Sequence, residues 1–167
     1  MKRNNTNLFL NFLNGHIRKV KEDAENLANL KVVDLKTIKR VFHLTEMKTF
    51  EILKQLAESN VVEWIVESNN LKVKINSKEH FVNYICSRRR FETQVMYLNL
   101  SGNVSVDTIQ EVFQISKMNA LIIFSKLLSN AGCLDNKSNN SCIVRNIEKS
   151  LMQIGGSMNF YSARYAS

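Results

Sequence analysis

The sequence predicts a mostly helical α+β protein built from two small domains of one design, and three observations carry that prediction. The first is an internal repeat. Residues 33–56 lie on residues 104–127 without a gap at an offset of 71, so that Val33/Val104, Thr37/Thr108, Ile38/Ile109, Val41/Val112, Phe42/Phe113, Met47/Met118, Ile52/Ile123 and Leu56/Leu127 coincide. Leu35/Val106 and Leu44/Ile115 are apolar in both copies as well. Most of the matches are large apolar residues while polar positions have drifted, so the repeat reads as a retained packing pattern. The second observation is that the apolar period switches along the chain from helical spacing to strand alternation. The third is an ordinary globular balance of 44% hydrophobic and 23% charged residues, which argues against disorder.

Each element follows from its residues. Leu8, Phe9, Phe12, Leu13, Ile17 and Val20 give residues 6–28 the spacing of an amphipathic helix, with Thr6 as its cap. A short apolar strand at 30–33 precedes a helix at 34–42, His43 and Leu44 turn the chain, and Thr45 starts a third helix that runs to about 59. Val61, Val62, Trp64 and Val66 are β-branched or aromatic and predict a strand. Ser68, Asn69 and Asn70 make a turn, and Leu71, Val73 and Ile75 alternate with Lys72 and Lys74 on the way back. The second copy repeats this order. Ser77 caps a long helix to about 99, Gly102 and Asn103 break it, and 106–114 with 116–130 form the paired helices. Cys133 and Leu134, with residues 142–145, enclose a turn in which Asn140 matches Asn69 at the same offset. A closing helix at 146–154 ends at Gly155 and Gly156. Proline is absent, so helix ends must be set by Asn, Gly, Ser and Asp. The expected domains are 1–76 and 77–154, related by a pseudo-two-fold, with a tail at 155–167.

Bulk properties narrow the partners. Each unit of about 70 residues is at the size where a core barely suffices alone, so the two are expected to pack together. The net charge is +8, with thirteen basic and nine acidic residues in 1–76 and ten and six in 77–167, so neither half is a basic tail on an acidic body. Such a charge favours an anionic partner, of which nucleic acid is the commonest for a small basic domain. The longest uninterrupted apolar stretch is 120–124, far too short to cross a bilayer, and Asn11 and Asn14 interrupt the apolar run that follows Lys2 and Arg3. No membrane partner and a cytoplasmic location are expected.

The order of helix, short strand, helix, turn, helix and hairpin resembles the winged-helix variant of the helix-turn-helix family, twice over. Leu35, Ile38, Val41 and Phe42 of the first paired helix, Thr45 at the turn, Leu53 and Leu56 of the second, and Val61 and Val62 entering the wing carry the resemblance. A typical member has Gly where Asn60 stands, and Asn tolerates the left-handed backbone required there. The resemblance implies two winged helix-turn-helix domains in tandem, each with a recognition helix suited to the major groove and with phosphates held by the wing and first helix.

Two functional classes follow. As a double-stranded DNA binder acting in transcription control or in DNA handling by a plasmid, virus or similar mobile element, the first copy would use Lys36, Lys39, Arg40, Lys48, Lys54, Gln55, Lys72 and Lys74. The second copy would use Lys117, Asn119, Lys126 and Arg145, with Arg89 and Arg90 forming a strip along the linking helix. Glu46, Glu51 and Glu58 suit phosphate poorly, and Leu121 and Ile122 are poor base readers but good contact surface. The alternative is therefore an interaction module in which Leu121 and Ile122 bind a second copy or another protein without DNA contact. Arg88 is expected at an interdomain seam, on the stripe with Phe81, Tyr84, Ile85 and Val95. Catalysis finds no motif: His16, His43 and His80 are scattered, and no phosphate-binding loop, zinc-protease or nucleophile-elbow pattern occurs. No cofactor or metal is implied. Cys86, Cys133 and Cys142 read as reduced thiols, with a Cys133–Cys142 bridge across the second hairpin as the lesser option. Trp64 is expected in the core.

Overall fold

The computed structural model describes residues 2–101 and 104–129. The second hairpin, the closing helix and the tail, and with them Arg145, Cys133 and Cys142, lie outside the described residues, as do Gly102 and Asn103.

Nine elements follow in order: α1 Lys2–Asn29, β1 Val32–Asp34, α2 Leu35–Val41, α3 Glu46–Glu58, β2 Val62–Glu67, β3 Asn70–Ile75, α4 Lys78–Ser101, α5 Val106–Phe113 and α6 Lys117–Ser129. The described part is thus mostly helical with one small antiparallel sheet, the α+β class that the sequence predicts. Two compact units divide it, one of residues 15–89 and one of residues 2–14 with 90–129. The division runs through α1 and α4, and the expected boundary at 76/77 falls inside the first unit.

In the unit of residues 15–89 the three strands are ordered β1-β3-β2, all antiparallel. The returning strand of the hairpin is therefore central, with Val33 opposite Val73 and Trp64 opposite Val73 on its two sides. Alternation decides the faces: Val33, Val62, Val73 and Ile75 are buried, while Glu63 and Lys74 point away. The hairpin closes through Ser68 and Asn69 at φ 39° and 71°, the pair of positive values that a tight two-residue loop demands. Ile38, Ile52, Leu53 and Leu56 complete the core from α2 and α3, with Phe81 and Ile85 from α4.

In the other unit, Leu13 of α1, Phe91 and Leu98 of α4, Ile109 and Val112 of α5 and Ile123 and Leu127 of α6 are buried. Phe9 stacks on Tyr97 with ring centroids 4.0 Å apart and planes 14° from parallel. The first helix starts earlier than the sequence suggests. Thr6 is not its cap but a buried residue well inside it, donating through Oγ1 to Oε2 of Glu111 at 3.2 Å.

The repeat reappears as local geometry, residue for residue. Asp34 caps α2 by accepting from the Thr37 amide at 2.7 Å, and Ser105, 71 positions on, caps α5 by accepting from Thr108 at 3.2 Å. Thr45 accepts from the Lys48 amide at the start of α3, and Ser116 from Asn119 at the start of α6, both at 3.2 Å. The turns match too, since His43 and Gln114 both hold left-handed backbone at φ 51° and 52°. Caps and turn together fix where each helix begins and how the chain leaves the first of the pair.

Candidate nucleic-acid interface

The surface of interest is built on the outer helix of each pair, α3 and α6, whose inner faces are anchored by Leu53, Leu56, Ile123 and Leu127. With 3.6 residues per turn, Met47, Phe50, Glu51, Lys54 and Glu58 then fall on one outward stripe of α3, and Met118, Leu121, Ile122 and Ser125 on that of α6. The methionine identity at 47/118, which the repeat suggests is part of the packed layer, is a surface feature instead: Met47 is 83% exposed and Met118 67%. Phe50 and Leu121, three residues later in each helix, are 48% and 41% exposed. Ile122 is exposed as the sequence suggests.

The polar members of α3 are largely engaged. Arg88 does not snorkel from a seam between domains; it is buried inside the unit of residues 15–89, its side chain 7% exposed, and donates to Glu51 Oε1 at 3.0 Å and Gln55 Oε1 at 3.2 Å. Its Nη1 also reaches the Tyr84 hydroxyl at 2.9 Å, and that hydroxyl in turn donates to Gln55 Oε1. Gln55 is thus half-buried with its carbonyl oxygen shared by two donors, and the Glu51 carboxylate is tethered beside a cation. Phe50 stacks on Trp64, ring centroids 5.4 Å apart, and Trp64 is half-buried at the surface instead of enclosed in the core.

The remaining cations sort by their surroundings. Lys36, Arg40, Lys54, Lys74 and Lys117 are exposed, and Lys39, Lys48, Asn119 and Lys126 half-exposed. Lys39 lies 4.0 Å from Glu46, a weak surface pair. Lys72 is paired with Glu67 at 2.8 Å, and that hydrogen bond raises its pKa above the ordinary lysine value. Lys74 stands opposite Glu63 in the sheet. The outward sheet face carries Asp34, Glu63 and Glu67 beside Lys72 and Lys74, so the hairpin offers a mixed field where the sequence suggests a basic wing. Arg89 donates to the main-chain carbonyl of Phe42 at the end of α2, and Arg90 to Asn14 Oδ1 at 3.4 Å. Both are half-buried, each turned to a separate intramolecular acceptor.

Among the described residues, Lys36 and Arg40, four apart on α2, and Lys54 on α3 are therefore the exposed cations of the first pair with no carboxylate within ion-pair distance. The α6 helix holds Lys117 and Lys126 and no carboxylate at all. Among the described residues no group of His, Cys, Asp or Glu could hold a metal ion, and no helix is long and apolar enough to cross a membrane. Compared with known proteins, the chain matches no family model, no curated protein sequence and no solved structure.

Proposed function

We propose that the chain is a cytoplasmic, double-stranded DNA-binding protein made of two winged helix-turn-helix units in tandem, serving transcription control or DNA handling in a mobile element. The observation that carries the reading is the duplicated helical pair, matched cap for cap and turn for turn, whose outer helix has lysines on an exposed face in both copies. The β1-β3-β2 sheet behind the first pair is the arrangement that the winged-helix resemblance implies, and the net charge of +8 favours a polyanion. In this reading Lys36, Arg40, Lys48 and Lys54 take the phosphates of the first half-site and Lys117 and Lys126 those of the second. Gln55, Arg89 and Arg90 hold the helices in place, and Lys72 and Lys74 contribute little because neighbouring carboxylates offset them.

A second reading is favoured by one observation, the exposure of Leu121 and Ile122 at 41% and 40%. There the same fold is an interaction module, and α6 binds another copy or a different protein. Gel shifts on duplex DNA across a salt series, run beside a sizing measurement, separate the two. Lys48→Glu with Lys54→Glu is expected to abolish the shift without changing the oligomer, and unchanged retention on DNA removes α3 as a contact. For the second reading, Leu121→Asp with Ile122→Asp dissociates an oligomer that the lysine variant leaves intact.

A further inference from the structure

We propose that the outer helices recognise thymine: Met47 and Phe50 on α3, and Met118 and Leu121 on α6, pack against C5 methyl groups in the major groove, so the preferred duplex is rich in A·T pairs. The inference rests on the duplex-DNA reading and deepens it. Met47 and Met118 occupy equivalent places in the repeat and are both among the most exposed large apolar residues, with Phe50 and Leu121 one turn on. None of the four carries a donor for the oxygen and nitrogen acceptors of guanine, and the methionine sulfur is only a weak acceptor for the amine of cytosine. The thymine methyl is the one apolar group that a base presents in that groove. Two polar side chains that could have read bases from α3 are turned elsewhere, Glu51 to Arg88 and Gln55 to Arg88 and Tyr84. Phe50 rests on Trp64, which limits the freedom that its ring would lose on contact. Lysines accompany the apolar pair in both copies, Lys48 between Met47 and Phe50 and Lys54 beyond them on α3, and Lys117 and Lys126 on either side of Met118 and Leu121 on α6, and this charge is complementary to the phosphates that line a groove. An apolar protein surface would fit the methionines equally well but gives no role to those lysines.

The test uses the whole chain and two duplexes of one A·T-rich sequence, one containing thymine and the other deoxyuridine, which lacks only the methyl. At low salt the deoxyuridine duplex is expected to bind about fourfold more weakly for each methyl buried, hence about fifteenfold for two. Met47→Ala with Met118→Ala should lower the ratio clearly towards one while retaining binding, since only Phe50 and Leu121 then remain against the methyls. Both positions are exposed and Ala is a good helix former, so folding is preserved. Equal affinity of the wild type for the two duplexes overturns thymine recognition and leaves duplex binding standing. Failure to bind either duplex overturns both, and a defined oligomer in that case points to a protein surface. A ratio unchanged in the double alanine variant overturns the assignment to the methionine-bearing faces of these helices.

Discussion

Arg88 shows how a single buried charge can orient a surface. Burying a guanidinium is costly unless its donors are met, and here Glu51, Gln55 and Tyr84 meet them from two helices. Because Glu51 and Gln55 belong to α3, the network fixes the rotation of that helix and hence which residues form its outward stripe. Arg88→Ala takes the donor from the buried Tyr84 hydroxyl and leaves Gln55 accepting from Tyr84 alone, and should cost about 2–3 kcal/mol. Glu51→Gln removes a carboxylate whose side chain is 50% exposed, and solvent compensates most of the loss, so that variant should cost under about 1 kcal/mol. Urea unfolding of the two variants checks the asymmetry, and equal costs would mean that the ion pair, not the buried hydrogen bonding, holds α3. None of this was legible in the sequence. The stripe of Phe81, Tyr84, Ile85 and Arg88 was readable from spacing, but the partners of Arg88 on α3 lie 33 and 37 positions away in sequence and no local pattern announces them. Met47 and Met118 escaped for a related reason: identity between copies does not say whether a side chain was kept for packing or for exposure.

At the level of elements, the sequence was far more informative, because caps and alternation are local chemistry. The starts of α2 and α3 fall where Asp34 and Thr45 place them, α5 begins at the expected Val106, and the hairpin falls where Asn69 and the Lys72/Lys74 alternation place it. The exception is α1, whose first turns lack an apolar stripe and so gave no signal of a helix beginning before Thr6. The matched caps also differ in one testable way. Asp34 is ionisable and Ser105 is not. The Thr37 amide hydrogen bond, first among the causes, holds the Asp34 carboxyl below the ordinary value of 3.8. A depressed folded-state pKa means that the unfolded chain takes up a proton first as pH falls. The stabilisation is therefore complete above about pH 4, near the unfolded value, and is lost as pH drops through the lower folded value. Asp34→Ala should cost about 1 kcal/mol at neutral pH, and less as the solution is acidified. Asp34→Asn, which keeps the accepting oxygen without the titration, should cost less than Asp34→Ala at neutral pH. Thermal unfolding at a series of pH values measures both. An alanine penalty constant down to pH 3 would show that the cap does not act through its charge.

For the whole molecule, the duplex-DNA proposal has a consequence that neither helical pair has alone: phosphate contacts from both copies would add in one binding event, and the salt dependence would count them. Each lysine or arginine that neutralises a phosphate displaces condensed counterions, so the logarithm of the binding constant falls with the logarithm of salt concentration by about 0.9 per contact. Roughly six contacts would weaken binding about a thousandfold or more between about 50 and 200 mM salt. The slope also separates cations by their surroundings. Among the described residues Lys36, Arg40 and Lys54 have no carboxylate within ion-pair distance, so Lys36→Ala, Arg40→Ala and Lys54→Ala should each lower the slope by about one. Lys117→Ala on the second copy should do the same. Lys72 is already compensated by Glu67 at 2.8 Å, and Lys72→Ala should leave the slope close to the wild-type value. Two half-sites engaged together predict that the losses from α3 and α6 variants sum in one protein, since residues on separate helical pairs act independently. If Lys117→Ala leaves the slope untouched while Lys54→Ala reduces it, only the first pair meets the duplex, and the apolar stripe of α6 must be assigned to a protein partner.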